Sequence, residues 1–140
     1  MFAALPLLAL PVILYNVLMM TLVGGFRGAD AAARLAAPLM TIRTASHAAW
    51  VVSLGDLLLM GALVVLFVEL LKSTTSRQAA IINHSLSMML FVGCLVEFLL
   101  FPAFATSVFF LLMLMVLLDV LAGFIMSIVA SRREIDVRER

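Results

Sequence analysis

The sequence predicts an all-α integral membrane protein, a four-transmembrane-helix bundle with a short interfacial helix in its first loop. Of the 140 residues, 66% are apolar and 12% are charged, whereas a soluble domain is about half apolar and about a quarter charged. A span across about 30 Å of hydrocarbon needs about 20 apolar residues. Four apolar runs of that length fill the chain, so residues 1–140 are expected to form one membrane domain.

The first two spans are predicted at about residues 3–25 and 47–71. Pro11 lacks an amide hydrogen, and its place inside the first run predicts a kink. The second run follows Ser46, which is expected to be its N-cap. Trp50 is expected at headgroup depth, where tryptophan is enriched.

The last two spans are predicted at about residues 77–101 and 105–130. Thr75 and Gln78 have the spacing of a capping box before the third span, and Pro102 ends it because proline cannot continue a helix. Thr106 or Ser107 is expected to cap the fourth. The charged tail, residues 131–140, is expected to be a solvated helical extension in the cytoplasm.

The first loop, residues 26–45, is the only long one. Its segment 28–37 is rich in alanine and places Asp30 four residues before Arg34, a spacing that favours a helix. A short helix at the membrane interface, ended by Pro38, is therefore expected. A partly ordered connector is the alternative.

The distribution of basic residues predicts the orientation, because cytoplasmic loops are enriched in lysine and arginine. Three arginines lie in the first loop and none in the third. Six basic residues lie on the other side, in the second loop and the tail: Lys72, Arg77, Arg132, Arg133, Arg138 and Arg140. Both termini are therefore expected in the cytoplasm, with the chain in the inner membrane of a bacterium.

Three carboxyl groups are expected inside the bilayer, where an ionised carboxylate costs from about 2.5 to more than 10 kcal/mol. At about 1.5 Å per residue, Asp119 is expected near the midplane, with Asp56 about 6 Å and Glu97 about 10 Å further outward. Asn16 falls near the midplane and can donate a hydrogen bond to a carboxyl. Glu69, by contrast, is expected at the interface, paired with Lys72 three residues on.

Small and polar residues at helical spacing predict helix-packing stripes on the last two spans. Their members are Asn83, Ser87, Gly93, Cys94, Gly123 and Ser127. On the second span, Ala49, Ser53 and Asp56 are expected to form the outer half of a similar face, which Leu59, Leu63 and Val64 continue. The intramembrane carboxyls then either join helices as neutral hydrogen-bonding groups, form a proton or cation path, or pair with another protein.

Several classes of function are not expected. A net charge of +1 gives no nucleic-acid footprint, and the lone Cys94 permits no intrachain disulfide or thiolate cluster. His47 and His84 lie at different depths, so one chain cannot ligate haem with both. We therefore expect no cofactor and no metal.

The sequence predicts a small multi-pass membrane protein that acts as a homo-oligomer or as an accessory subunit of a membrane complex, with the lipid bilayer and other membrane subunits as partners. The alternative is a proton- or cation-coupled small transporter or channel that uses the intramembrane carboxyls.

A membrane enzyme is the weaker alternative. Leu54, Gly55 and Asp56 resemble part of the motif around one catalytic aspartate of intramembrane aspartyl proteases. Asp119 would have to be the second aspartate, but it follows Leu118 where that family has a tyrosine, so no catalytic site is expected.

Overall fold

The computed structural model describes residues 6–72 and 77–138, excepting the side chains of 77–81, 126, 127 and 129–138. The expected capping box of Thr75 and Gln78 lies outside the described part of the chain. The order of elements is α1 (Ala9–Leu22), α2 (Ala31–Leu35), β1 (Pro38–Arg43), β2 (Ala49–Ser53), α3 (Leu54–Lys72), α4 (Arg77–Leu100), a 3-10 turn (Pro102–Phe104) and α5 (Ser107–Arg138).

Three helical segments in the described residues are long and apolar enough to cross a membrane: Leu54–Lys72, Ile82–Leu100 and Ser107–Ile125. The fourth apolar helix, α1, has 14 residues, or about 21 Å at about 1.5 Å per residue, which is shorter than about 30 Å of hydrocarbon. Composition predicted a helical membrane protein, and three helices long enough to span a membrane support that prediction. Where the first span was expected, the structure has the shorter helix α1.

The expected kink at Pro11 is wrong, because α1 begins only at Ala9. Pro11 therefore occupies the first turn, where a helix needs no amide donor from it. The carbonyl of Leu7 accepts a hydrogen bond from the amide of Leu10 at 2.9 Å. At the other end, Gly24 and Gly25 follow the helix with φ values of 75° and 129°, which glycine adopts readily.

The first loop contains the expected short helix, α2, and also a β-hairpin that was not expected. Strands β1 and β2 pair antiparallel, with Ile42 opposite Trp50 and Thr41 opposite Val51. These β-branched and aromatic residues favour a strand over a helix. His47 lies in the turn of the hairpin with a φ of 62°. Because the hairpin continues to Ser53, the helix expected to start near His47 begins only at Leu54.

Helix α5 lies at the centre of the fold and packs against α1, α3 and α4. The side of α3 that packs inward is formed by Gly55, Leu58, Ala62, Leu66 and Glu69, which recur every three or four residues. The face expected from Ala49, Ser53 and Asp56 is wrong, because the first two belong to β2. Its expected continuation is wrong as well, since Leu63 and Val64 are 57% and 64% exposed.

Candidate functional site

Glu69, in the last turn of α3, is the most deeply buried carboxylate of the described residues, with 0% exposure. Its Oε2 accepts a hydrogen bond from the backbone amide of Leu7 at 2.6 Å. Its Oε1 accepts one from Nδ2 of Asn83 on α4, also at 2.6 Å. The expected pairing with Lys72 is present at 3.9 Å, but Glu69 is not at an exposed interface. It joins α3 to α4 and to the residues that precede α1.

Asp119 on α5 forms a second connection to α4. Ser87 donates a hydrogen bond from Oγ to Oδ2 of Asp119 at 2.5 Å, and both residues are buried. Ser87 follows Asn83 by four residues, which places the two on one face of α4. The two carboxylates therefore bind neighbouring positions of the same helix.

These two hydrogen-bonded groups and the imidazole of His84 are together called the Glu69 cluster: Glu69, Lys72, Asn83, His84, Ser87 and Asp119. Glu69, His84 and Lys72 all lie within electrostatic range of the Asp119 carboxyl. The cluster contains two acids, one ammonium and one imidazole among apolar helices. In such surroundings a charge is favourable only when a partner offsets its desolvation.

His84 has buried ring nitrogens that form no hydrogen bond within the part of the chain that the structure describes. Its ring packs edge-on against Phe124, with 4.3 Å between ring centroids, and lies directly over Gly123. Oδ1 of Asn83 is also buried without a partner there. Buried polar atoms of this kind can take up a proton or a water molecule.

The chemistry available to the Glu69 cluster is hydrogen bonding and proton exchange. Among the side chains that the structure describes, no group of three or more His, Cys, Asp or Glu is arranged to hold a metal ion.

Glu97 and Asn16 lie apart from this cluster, on α4 and α1. Asn16 donates from Nδ2 to Oε2 of Glu97 at 3.4 Å and to the carbonyl of Val12 at 3.1 Å. Both side chains are half-buried. The hydrogen bond expected of Asn16 toward a carboxyl is thus made to Glu97, and it joins the first apolar helix to α4.

Asp56 lies in a different environment from the one expected, because it is exposed in the first turn of α3. Its Oδ2 accepts hydrogen bonds from the amide and the hydroxyl of Ser53 at 2.9 Å and 2.7 Å, and its own amide donates to Oγ of Ser53 at 3.2 Å. This reciprocal pattern is a capping box, with aspartate in the third position. Of the three carboxyls expected among the helices, Asp56 is therefore the exposed one, whereas Glu97 is half-buried and Asp119 is buried.

The predicted packing stripes divide into three groups. Asn83, Ser87 and Cys94 are buried on α4. Gly93 is exposed with open space around it, whereas Gly123 lies against His84. The side chain of Ser127 lies outside the described part of the chain.

A further polar site, at the start of α5, was not predicted from the sequence. The hydroxyl of Tyr15 donates to the carbonyl of Ala103 at 3.0 Å and lies 2.7 Å from Oγ1 of Thr106. The Tyr15 hydroxyl has one hydrogen, which it donates to Ala103. The Thr106 hydroxyl is therefore the donor to the tyrosine oxygen. Oγ1 of Thr106 also accepts from the amide of Phe109 at 3.1 Å, which confirms Thr106 as the cap of α5.

Aromatic rings surround this site. Tyr15 contacts the rings of Phe104 and Phe109 at centroid distances of 5.4 Å and 4.7 Å, and Phe26 contacts that of Phe104 at 5.2 Å. The chain holds a single tyrosine. A lone phenol hydroxyl in an apolar run is the signal that predicts a buried hydrogen-bonding partner.

The burial of Glu69 could also have been predicted. Glu69 lies in the last turn of α3 and Asn83 in the second turn of α4, so an antiparallel arrangement of the two helices brings them to neighbouring levels. Glu69 also falls on the face that begins with Gly55 and Ala62, where small residues allow close packing.

Comparison with known proteins gives no relative, since no protein-family model, curated protein or solved structure matches the chain.

Proposed function

We propose that the chain is a small multi-pass membrane protein that acts as a homo-oligomer or as an accessory subunit of a membrane complex. In this proposal α1, α3, α4 and α5 form a four-helix bundle in the inner membrane of a bacterium. The carboxyl groups among the helices join the bundle internally, and no catalytic site is expected.

One observation carries the proposal: among the described side chains, each buried or half-buried carboxylate of the helices is hydrogen-bonded to another segment of the same chain. Glu69 is joined to Asn83 and Leu7, Asp119 to Ser87, and Glu97 to Asn16. Polar side chains that bond across helices stabilise bundles in lipid, at about 0.6 kcal/mol on average and up to about 1.7 kcal/mol each. Such internal bonds favour a structural role for these acids.

The outer surface of the helices is consistent with lipid or with neighbouring membrane subunits. Large apolar side chains are exposed along α3, α4 and α5, among them Phe67, Met89, Leu99 and Ile125. On a soluble protein an apolar surface of this extent would mark an interaction site. In a membrane, the same surface contacts acyl chains or the helices of a neighbouring subunit.

The first test is the native mass of the full chain in nanodiscs, together with affinity purification from native membranes under mild detergent. The expected result is a mass of two or more chains, or stable co-purification with a membrane subunit. A chain that is monomeric in nanodiscs and purifies alone from its own membrane would overturn the proposal.

The orientation is tested separately. With both termini in the cytoplasm, a phosphatase reporter fused after Arg140 should be inactive, and the same reporter inserted at Ala45 in the hairpin turn should be active. The reverse result would place the termini outside.

A proton- or cation-coupled transporter is the second candidate, because the Glu69 cluster contains buried polar atoms without partners among the described residues. The test is flux into liposomes of the full chain under a proton or sodium gradient. Transport through the cluster would be abolished by Asp119→Asn or Glu69→Gln, with assembly unchanged. Asp56→Asn is the matched control and should leave flux unchanged, since Asp56 only caps its own helix. Liposomes that show no flux with the unmutated chain would eliminate this candidate.

A further inference from the structure

The hairpin formed by β1 and β2 has two unlike faces. Met40 lies opposite Val52, and Ile42 lies opposite Trp50. Since side chains alternate along a strand and opposite residues share a face, these four apolar residues lie on one side of the hairpin. The other side carries Thr41 and Arg43, opposite Val51 and Ala49.

Of the four side chains on the apolar face, one is buried against the rest of the fold and three are exposed. Val52, next to the start of α3, is buried. Met40, Ile42 and Trp50 lie on the same face and are 52%, 42% and 50% exposed. The apolar face therefore presents three large side chains with no covering segment among the described residues.

The position of the hairpin relative to a bilayer follows from its connection to α3. Strand β2 ends at Ser53 and α3 begins at Leu54, with no linker between them. Trp50 is four residues before Leu54, so it lies within about 13 Å of the helix start at about 3.3 Å per strand residue. The headgroup region of each leaflet is about 5–8 Å thick beyond the hydrocarbon. The distance from Leu54 to Trp50 is therefore short enough for a hairpin inclined to the bilayer normal to lie within the headgroups.

The charge of the segment between α1 and α3 complements a phospholipid surface. The segment contains Arg27, Arg34 and Arg43 but a single acid, Asp30. Arginine near a bilayer is attracted to lipid phosphates, by about 1 kcal/mol per residue at an anionic surface. Arg43 lies at the outer end of β1, next to the turn.

We propose that the β1–β2 hairpin is a lipid-binding element that lies in the headgroup layer of the bilayer. Met40, Ile42 and Trp50 turn toward the acyl chains, and Arg43 contacts lipid phosphates. The proposal requires that α3 crosses the bilayer, and it holds whether the chain is a subunit or a transporter.

The experiment uses Trp50 itself, because it is the only tryptophan of the chain. The full chain is reconstituted into phosphatidylcholine and phosphatidylglycerol vesicles that contain lipids brominated either near the glycerol or near the end of the acyl chain. Trp50 fluorescence should be quenched most by bromine near the glycerol and only weakly by acrylamide in the water. Strong acrylamide quenching, or no quenching by any of the three, would overturn the proposal; the latter would place Trp50 against protein.

A matched variant tests the orientation of the face. In Trp50→Phe/Val51→Trp, the tryptophan moves by one residue to the opposite side of the hairpin, at a position that is also half exposed. Its lipid quenching should fall and its acrylamide quenching should rise relative to Trp50. Equal quenching at the two positions would contradict a lipid-facing side.

A third variant keeps a failure of the hairpin proposal distinct from a failure of the membrane assignment. Trp50→Phe/Val64→Trp places the tryptophan on the exposed side of α3, near the middle of the helix. Bromine near the end of the acyl chain should quench it most, as a spanning α3 requires. If bromine near the chain end quenches this tryptophan most but lipid does not quench Trp50, only the hairpin proposal is wrong. If bromine near the chain end does not quench it most, both the hairpin proposal and the assignment of α3 as a span are wrong.

Discussion

At the scale of single residues, Glu69 shows how partners determine the environment of a charge. Its spacing to Lys72 is that of a surface ion pair, and that ion pair is formed. The carboxylate is nevertheless fully buried, because two further donors reach it from Leu7 and Asn83. Hydrogen bonds of this kind compensate for the water that a buried carboxylate loses.

Replacing Glu69 with leucine should destabilise the fold by about 1–3 kcal/mol, because the amides of Leu7 and Asn83 then lack an acceptor. Glu69→Gln should cost much less. Its oxygen can accept from Leu7, and its amide can donate to Oδ1 of Asn83, which has no partner at present among the described residues. The measurement is reversible unfolding in mixed micelles.

The control for this pair is Phe67→Leu, since Phe67 is exposed on the same helix and contributes little to the core. Glu69→Gln and Glu69→Leu variants of equal stability would contradict the hydrogen-bonding role of Glu69.

At the scale of elements, α4 and α5 approach closely where His84 lies over Gly123. A Cβ at Gly123 would overlap Nδ1 of His84 and lie 2.9 Å from its Cγ. Because Cγ is fixed to the backbone through a single carbon, the ring cannot move away without a rotation of the side chain or a shift of the helix. The absence of a side chain at Gly123 therefore sets the distance between these two helices.

Gly123→Ala should destabilise the protein by about 1–3 kcal/mol through overpacking, although alanine favours a helix. Gly93→Ala is the matched control on α4, because a Cβ there has open space; it should stabilise the protein by up to about 1 kcal/mol. Unfolding midpoints of the two variants measure the difference. If Gly123→Ala were as stable as Gly93→Ala, the close approach of α4 and α5 would be wrong.

The sequence predicts helices better than it predicts how they begin. Length and hydropathy correctly indicate α3, α4 and α5, since hydrocarbon thickness sets the length of an apolar run. The same reasoning misplaced the start of α3, because Ala48 to Val52 are apolar in either a helix or a strand. Only the β-branched Thr41, Ile42, Val51 and Val52 distinguish the two, and a hydropathy average ignores branching.

The candidate site was predictable only in part. Helical spacing predicts Asn83 and Ser87, and position within the fourth apolar run predicts Asp119; all three are buried. Their connection to Glu69 depends on which helix faces which, and spacing within one helix carries no such information. Asp56 was selected for its expected depth, and that depth changed once the helix began at Leu54.

At the scale of the whole molecule, polar contacts join the described helices at both ends of the fold. The Glu69 cluster joins α3, α4 and α5 at one end, and Tyr15 joins α1 to the start of α5 at the other. Cys94 lies between them on α4 and is buried. Its thiol is therefore reached only when the helices separate.

Modification of Cys94 by N-ethylmaleimide should be slow in the folded protein and immediate in denaturing detergent. Because exposure of the thiol requires opening of the bundle, Glu69→Leu should accelerate the reaction by about 5- to 150-fold, which corresponds to about 1–3 kcal/mol. The rate is measured by mass spectrometry. A second cysteine introduced by Ser46→Cys, in the exposed hairpin turn, should react at once in every variant. Equal rates at the two cysteines of the folded protein would contradict the burial of Cys94.

The contacts of α1 also have a consequence for the order of assembly during synthesis. Its polar partners lie far along the chain, with separations of 62 residues for Leu7 and Glu69, 81 for Asn16 and Glu97, and 91 for Tyr15 and Thr106. The hairpin, by contrast, closes over neighbouring residues and can form as soon as they emerge. Helix α1 leaves the ribosome before the other described helices, yet it cannot dock fully until the start of α5 has been translated. Until then, a membrane insertase or the surrounding lipid must hold it.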